Sequence, residues 1–529
     1  ATLLEGMGTT NMPVTTTSDE GRKFFNQGVS QVHSFWYLEA ERSFLQAATL
    51  DPEMAMAYWG ISVSAAGDQR PTFQSFRDPM DGGRQAGAPP SADAVLRTAN
   101  GAAVDPRVRA REAILKAMSL RDKVTPRERL YIEAQAARRN PDSKNADADY
   151  ITGLRALIGG YPDDLDAKSF LGLVLLDGYD SITRAPRANT TEGTTLLHEV
   201  IAKDDNHFGA HHYLIHGWEG STTPERAWLS CKRYPALVTN IPHALHMPGH
   251  IYAQSDRIDE AIVSFADAAD NELKWMGADV LYPNGHLGHN VHFLVHSLNL
   301  DGRFMDSMDR VRQMMSFKET PRERSGNSQR TPYRQGYYSL VKTLVRFERW
   351  DLVLDPATVP VYDKPEQHAW RTWAVGLAYA GTNKLDEART TLEQLKTHVN
   401  ASTATKRSLL IAQLELEAAI AVRSGDKARG YELYRQAADQ EAALLYTEPP
   451  SYPRPVTEGW GETALALGDY GIAEKAFREA LTREPGSGRA YFALASVLGA
   501  RNRLTDAKQM YETGIRAWDK ADKGLVPHR

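Results

Sequence analysis

The 529-residue chain has one cysteine, Cys231. No internal disulfide can form, and no thiolate cage can hold zinc or an iron–sulfur cluster. Long apolar runs are missing too: no stretch approaches the ~18 consecutive apolar residues that a membrane span needs. Basic runs with interleaved aromatics are absent and the formal net charge is -5, so no field for a polyanion exists and nucleic acid is not an expected partner. There is no GxSxG elbow, no Walker loop and no GxGxxG opening a βα unit. The first residues, ATLLEGMGTT, have neither the basic start nor the apolar core of a signal peptide, and they begin at Ala. The expectation is a mature exported, periplasmic protein, with a trimmed cytoplasmic chain as the alternative.

What is present is a repeat. The string PVTEGWGETALALGDYGIAEKAFREALTREPGS carries Gly461, Gly468, Tyr470, Ala473, Phe477, Ala480 and Pro485 at spaced positions, and the next segment repeats the pattern with Tyr491, Leu494, Ala507 and Tyr511. FFNQGVSQVHSFWYLEAERSFLQAATLDP does so with Gly28, Ala40, Phe44, Ala47 and Pro52. Further copies lie at Gly376, Ala388, Leu392 and Leu395, and more weakly at Tyr434 and Ala437. This small–aromatic–small spacing resembles the tetratricopeptide (TPR) repeat. Small residues let the two helices of a hairpin approach, the aromatic fills the adjacent hole, and stacked hairpins bury what one hairpin cannot. No period-2 strand segments intervene. The expected fold is all-α: a TPR-like α-solenoid of helix hairpins closing around a His-lined groove. Four segments are expected: an N-terminal repeat at 1–65, an irregular helical region at 66–190 with a Gly/Pro-rich loop at 78–94, His-rich repeats at 191–320, and C-terminal repeats at 321–529.

Eleven of the 16 histidines fall between 207 and 296, far above that segment's share of the chain. Register sharpens the enrichment. When Ala261, Phe265 and Ala268 are aligned to the repeat, His243, His246 and His250 fall at positions 2, 5 and 9 of the preceding helix. Aligning on Ala227 puts His212, His216 and Glu219 at 5, 9 and 12; aligning on Ser307 and Val311 puts His289, His292 and His296 at 2, 5 and 9. These positions share one helix face, and in this repeat class that face lines the groove. Three successive helices are therefore expected to present imidazoles to one space. Pro248, inside HALHMPGHIY, costs a helix about 3 kcal/mol and kinks it; the expectation is that the kink aims His246 and His250 at one centre.

Imidazole pairs at i, i+4 can chelate one ion. The predicted metal ligands are His212, His216, Glu219, His243, His246, His250, His289, His292 and His296, with Glu219 the candidate catalytic base. Such a set suits a transition metal, copper first, with iron or zinc as alternatives, and two ions would use it more fully. His33, His207, His211 and His286 are expected in supporting or structural roles, and His198, His368, His398 and His528 in ordinary surface or core ones. Phe208, Tyr213, Trp218, Tyr252, Trp275 and Tyr282 either frame a substrate or pack between repeats. Cys231 sits at a helix-packing position and reads as core. The stripes HHYLIHGWE, PHALHMPGHIY and GHNVHFL resemble motifs of a group of bacterial TPR proteins, many of them exported; that resemblance carries no activity. The leading expectation is a metal-dependent oxidoreductase acting on O₂ or a small organic substrate. A dinuclear metallohydrolase is the second, and a non-catalytic TPR scaffold for a peptide or protein partner, or for metal handling, is the third.

Overall fold

Several helices in this chain start at side-chain caps. Ser18 Oγ accepts from Gly21 N at 2.9 Å to open Asp19–His33, and Thr125 with Glu128 forms a capping box ahead of Pro126–Arg138. In the computed structural model the described residues are 1–67, 69–75, 105–279, 282–326, 329–402, 406–445, 447 and 449–526. The Gly/Pro-rich stretch 78–94 and His528 lie outside them. Among the described residues the regular structure is helical, with one isolated bridge between Tyr179 and Pro186. No helix among them is long and apolar enough to cross a membrane.

The described residues fall into two compact units. The first comprises those within 1–75, 105–251 and 267–283; the second comprises 252–266 and those from 284 onward. Consecutive helices pack as hairpins in both. In the first unit the pairs include Asp19–His33 with Tyr37–Leu50, Pro126–Arg138 with Ala146–Gly160, Leu165–Val174 with Thr190–Lys203, and Phe208–Trp218 with Trp228–Leu237. In the second they include Gly285–Leu300 with Phe304–Ser316, Pro365–Gly381 with Leu385–Ala401, Lys406–Arg423 with Lys427–Ala442, Val456–Ala466 with Tyr470–Arg483, and Gly488–Ala500 with Leu504–Ala517. This is a TPR-like α-solenoid architecture.

One turn joins many of the hairpins. The amide of one residue donates to the carbonyl five residues back, and the residue before that donor has positive φ. In the second unit these pairs are Arg257 to Tyr252 after Asp256, Arg303 to Leu298 after Gly302, Arg349 to Leu344 after Glu348, Lys384 to Tyr379 after Asn383, Asp426 to Ala421 after Gly425, Asp469 to Ala464 after Gly468, and Arg503 to Leu498 after Asn502. The first unit has one such turn after its first helix: Trp36 donates to Gln31 O at 2.8 Å, and the left-handed residue is Phe35 (φ 54). Glycine or asparagine suits this conformation and phenylalanine does not.

The repeat's aromatic–glycine contact explains its spacing. A Cβ on Gly28 would lie 2.7 Å from the Phe44 ring, and one on Gly461 2.8 Å from Phe477. Both rings are fully buried. Ala464, Ala473, Phe477, Ala490, Leu494, Val497 and Leu498 form one continuous core across two hairpins, so each hairpin borrows its neighbour's surface.

Candidate metal centre

The helix Phe208–Trp218 (FGAHHYLIHGW) is buried from Phe208 through Gly217. A helix covered on all sides normally carries apolar residues; this one carries three histidines, each of which needs a polar partner. His211, on one side, has ordinary partners: Nδ1 lies 3.0 Å from Ser230 Oγ and Nε2 2.9 Å from Asp205 O. His212 and His216 face a different environment. His212 Nδ1 donates to the main-chain carbonyl of His33. That bond fixes the neutral tautomer and leaves the Nε2 lone pair facing outward. His212 Nε2 stands 3.1 Å from His243 Nε2.

His243 comes from the next helix, Pro242–Gln254, which opens on a proline at its first position, where the missing N–H costs nothing. The helix continues through Pro248, and His246 Nε2 and His250 Nε2, flanking that proline, lie 2.9 Å apart. The rings of His243 and His246 are 6.3 Å apart and nearly parallel.

His212, His216 and His243 each offer a nitrogen, and these atoms lie within 4.8 Å of one another. Two nitrogens about 2.0–2.1 Å from a common ion at an angle near 100° stand about 3.1 Å apart; His212 and His243 already have that separation. His216 offers the third nitrogen, within 4.8 Å of the other two. Its Nε2 is buried with no hydrogen-bond partner among the described residues, which is the kind of orphaned donor atom that an ion satisfies. The residues present therefore fit a transition metal.

Glu219 is the C-cap of its helix (φ -57, ψ 129) and not the next residue on the helical stripe. It reaches the site all the same: Oε1 lies 3.0 Å from His216 Nδ1 and 4.0 Å from His250 Nδ1. Burial pushes its carboxyl up, but the charges of His216 and His250 and the contact to His216 outweigh that, so it is held below its ordinary value. His212 is driven well below its ordinary value by burial first, then by His216 and His243, against the opposing bond to the His33 carbonyl. It is therefore unprotonated at neutral pH, as a metal ligand must be.

A second polar cluster adjoins the first. His33 Nε2 lies 2.9 Å from Asp166 Oδ1, and His207 Nε2 3.3 Å from the same oxygen. His33 Nδ1 lies 3.0 Å from Tyr213 Oη. Residue order implies only supporting or structural roles for His33 and His207; the fold joins them through Asp166, which belongs to none of the histidine motifs. Phe35 is a second residue without a sequence signal. Its ring centroid lies 4.4 Å from His212 and 5.4 Å from both His216 and His243.

His289, His292 and His296 lie on Gly285–Leu300 in the second unit. His289 packs on Phe293, and His292 Nε2 lies 3.4 Å from Lys342 Nζ. Burial, then the Lys342 charge, pushes both His292 and His296 well below their ordinary values. Of the aromatics, Tyr213 and Phe208 are buried beside His33, Trp218 sits near His198 and under Arg226, and Trp36 packs edge-on to Trp275 and donates to Tyr282 Oη. Cys231 is buried core.

No protein-family model matches the chain, and no curated protein matches it. Solved structures of the human IFIT1 dimer with m7Gppp-AAAA (11% identity, 95% of this chain and 91% of that chain, TM-score 0.34) and with PPP-AAAA (11%, 94% and 91%, 0.32) are similar to it at that level. A TM-score this low adds nothing to the fold as built from the helices, and the ligands belong to those proteins.

Proposed function

We propose that the chain is a metal-dependent oxidoreductase whose centre is built on His212, His216 and His243, with copper the first choice of metal. The observation that carries this reading is the His212 ring. Its Nδ1 is committed to a backbone carbonyl, and its Nε2 faces His243 Nε2 at 3.1 Å. Imidazole-rich, thiolate-free donor sets favour copper among the first-row metals, and the bound ion would supply electron transfer to O₂ or to a small organic substrate. Within the chain, His212 and His243 hold the ion, His216 completes the set, and Glu219 accepts a proton from His216 Nδ1 or from substrate. His246 and His250, joined at 2.9 Å, extend the imidazole row beyond His243 for a second ion or for proton movement. The share of His289, His292 and His296 in this chemistry rests on helical register alone. The exported setting belongs to the same proposal and rests on the resemblance of the three motifs.

One observation favours a second reading, a metallohydrolase: Glu219 is a buried carboxylate held in its ionised form beside an imidazole, which suits a general base acting on water. Metal analysis of the purified protein with its visible spectrum separates the readings. Copper or iron with a visible band supports the oxidoreductase. Colourless zinc supports the hydrolase. A folded protein that binds no added Cu(II), Fe(II) or Zn(II) refutes both and leaves a scaffold for a peptide or protein partner.

A further inference from the structure

The first helix ends in a turn whose two unusual features both point at the histidine cluster. Phe35 puts an aromatic ring at the left-handed position that glycine, asparagine, Asp256 or Glu348 fills in the corresponding turns of the second unit. A bulky side chain is strained in that conformation, and the contacts of this one lie outside the turn. Its ring lies against three imidazoles and is itself half-buried, with Tyr37 and Tyr213 stacked at 5.8 Å. Two residues earlier, the His33 carbonyl is the acceptor that orients His212.

The His33 side chain is unusually constrained. It is stacked on Phe170 (4.7 Å, 5°), edge-on to Phe208, bonded to Asp166 and to Tyr213, and pressed against Gly209, where a Cβ would overlap its Nδ1. Asp166 lies in the first turn of Leu165–Val174, so it ties the end of the first helix to a later hairpin. The cluster of His33, Asp166 and His207 has donors close enough to hold an ion of its own. The hydrogen bonds of His33 argue for a clamp instead. His207 Nδ1 accepts from Ala210 N at 3.1 Å as the cap of its helix, so the neutral ring carries its proton on Nε2, 3.3 Å from Asp166 Oδ1.

We propose that the turn His33–Phe35 is the outer wall of the His212–His216–His243 centre: Asp166 clamps His33 so that its carbonyl holds His212 in the metal-ready tautomer, and Phe35 covers the three rings against solvent. Asp166 and His33 are thus positioning residues, and Phe35 is a shield. This rests on the cluster being a metal centre, and the tests below separate the two ideas.

Asp166→Asn is examined in the full chain by Cu(II) titration against a competing chelator, and in the metal-free protein by nitrogen NMR of ¹⁵N-histidine. The expected result is Cu(II) affinity weakened about 10–100-fold, as for other groups that orient a ligand, at unchanged stoichiometry, with the His212 signal moving from a pure Nδ1–H tautomer toward a mixture. Affinity within twofold of the parent overturns the clamp. Loss of a whole equivalent of copper also overturns it, because Asp166 would then be a ligand. If the parent binds no copper the metal reading fails, and the metal-free tautomer alone decides: an unchanged His212 signal in Asp166→Asn sinks the clamp. Phe35→Gly tests the shield without endangering the turn, since glycine suits positive φ. Chelator should strip copper at least about tenfold faster, and diethyl pyrocarbonate should modify His216 and His243 faster in the metal-free variant. Unchanged rates in both assays refute the shield.

Discussion

Gly209→Ala sets two effects of opposite sign against each other. In an open helical position alanine stabilises by about 0.5–1 kcal/mol over glycine. Gly209 is helical, in the first turn of Phe208–Trp218, but its missing side chain is where the His33 ring sits. That ring has nowhere to retreat: it is fully buried between Phe170, Phe208, Tyr213 and Asp166. Overpacking of a filled site costs about 1–3 kcal/mol, and the net expectation is destabilisation of about 1–2 kcal/mol. Gly159 is the control. It lies within Ala146–Gly160 with nothing near a built Cβ, so Gly159→Ala should gain about 0.5–1 kcal/mol. Urea unfolding of both variants at one pH gives the numbers. The His212 tautomer should also respond in Gly209→Ala, because its acceptor is the His33 carbonyl. A Gly209→Ala protein as stable as Gly159→Ala would refute the packing argument and remove the basis for the clamp.

His243→Ala should lose copper or zinc uptake while its far-UV circular dichroism matches the parent, since repeat stability is spread over neighbours; retained uptake removes His243 from the centre. Phe44→Ala should cost about 3–5 kcal/mol, because the ring fills the space left by Gly28 and Gly60, and a cost under 1 kcal/mol, measured by urea unfolding, contradicts the repeat packing. Lys342 is pushed down to about 7 by burial, with Arg346 adding to the effect and Glu484 opposing it. Between pH 7 and its unfolded value near 10.4 the unfolded chain holds more protons there, so stability rises with pH by up to about 1.4 kcal/mol per unit from this group. Lys342→Met should raise stability at pH 7 and flatten that slope; a slope unchanged in the variant would show that Lys342 stays charged.

How much of this was legible in the sequence follows from which interactions are local. The glycine–aromatic spacing of Gly28 with Phe44 and of Gly461 with Phe477 is set by helix pitch within one hairpin, so it reads directly from residue order. The imidazole row His212, His216 on one helix and His243, His246, His250 on the next follows from the same periodicity, and the structure brings His212, His216 and His243 together as a possible ion site. Glu219 shows where periodicity stops. The helix ends one residue before it, and it reaches His216 from a cap and not from the stripe.

Residue order by itself determined the all-helical repeat and the density of histidine, because both are short-range patterns. Which imidazole carries its proton on which nitrogen, that Asp166 meets His33 across 133 positions of chain, and that Phe35 lies over three rings were decided only by tertiary structure. A backbone carbonyl has no signature in side-chain identity, and the left-handed turn at Phe35 lacks the glycine or asparagine that would announce it; both act through where the folded chain puts them.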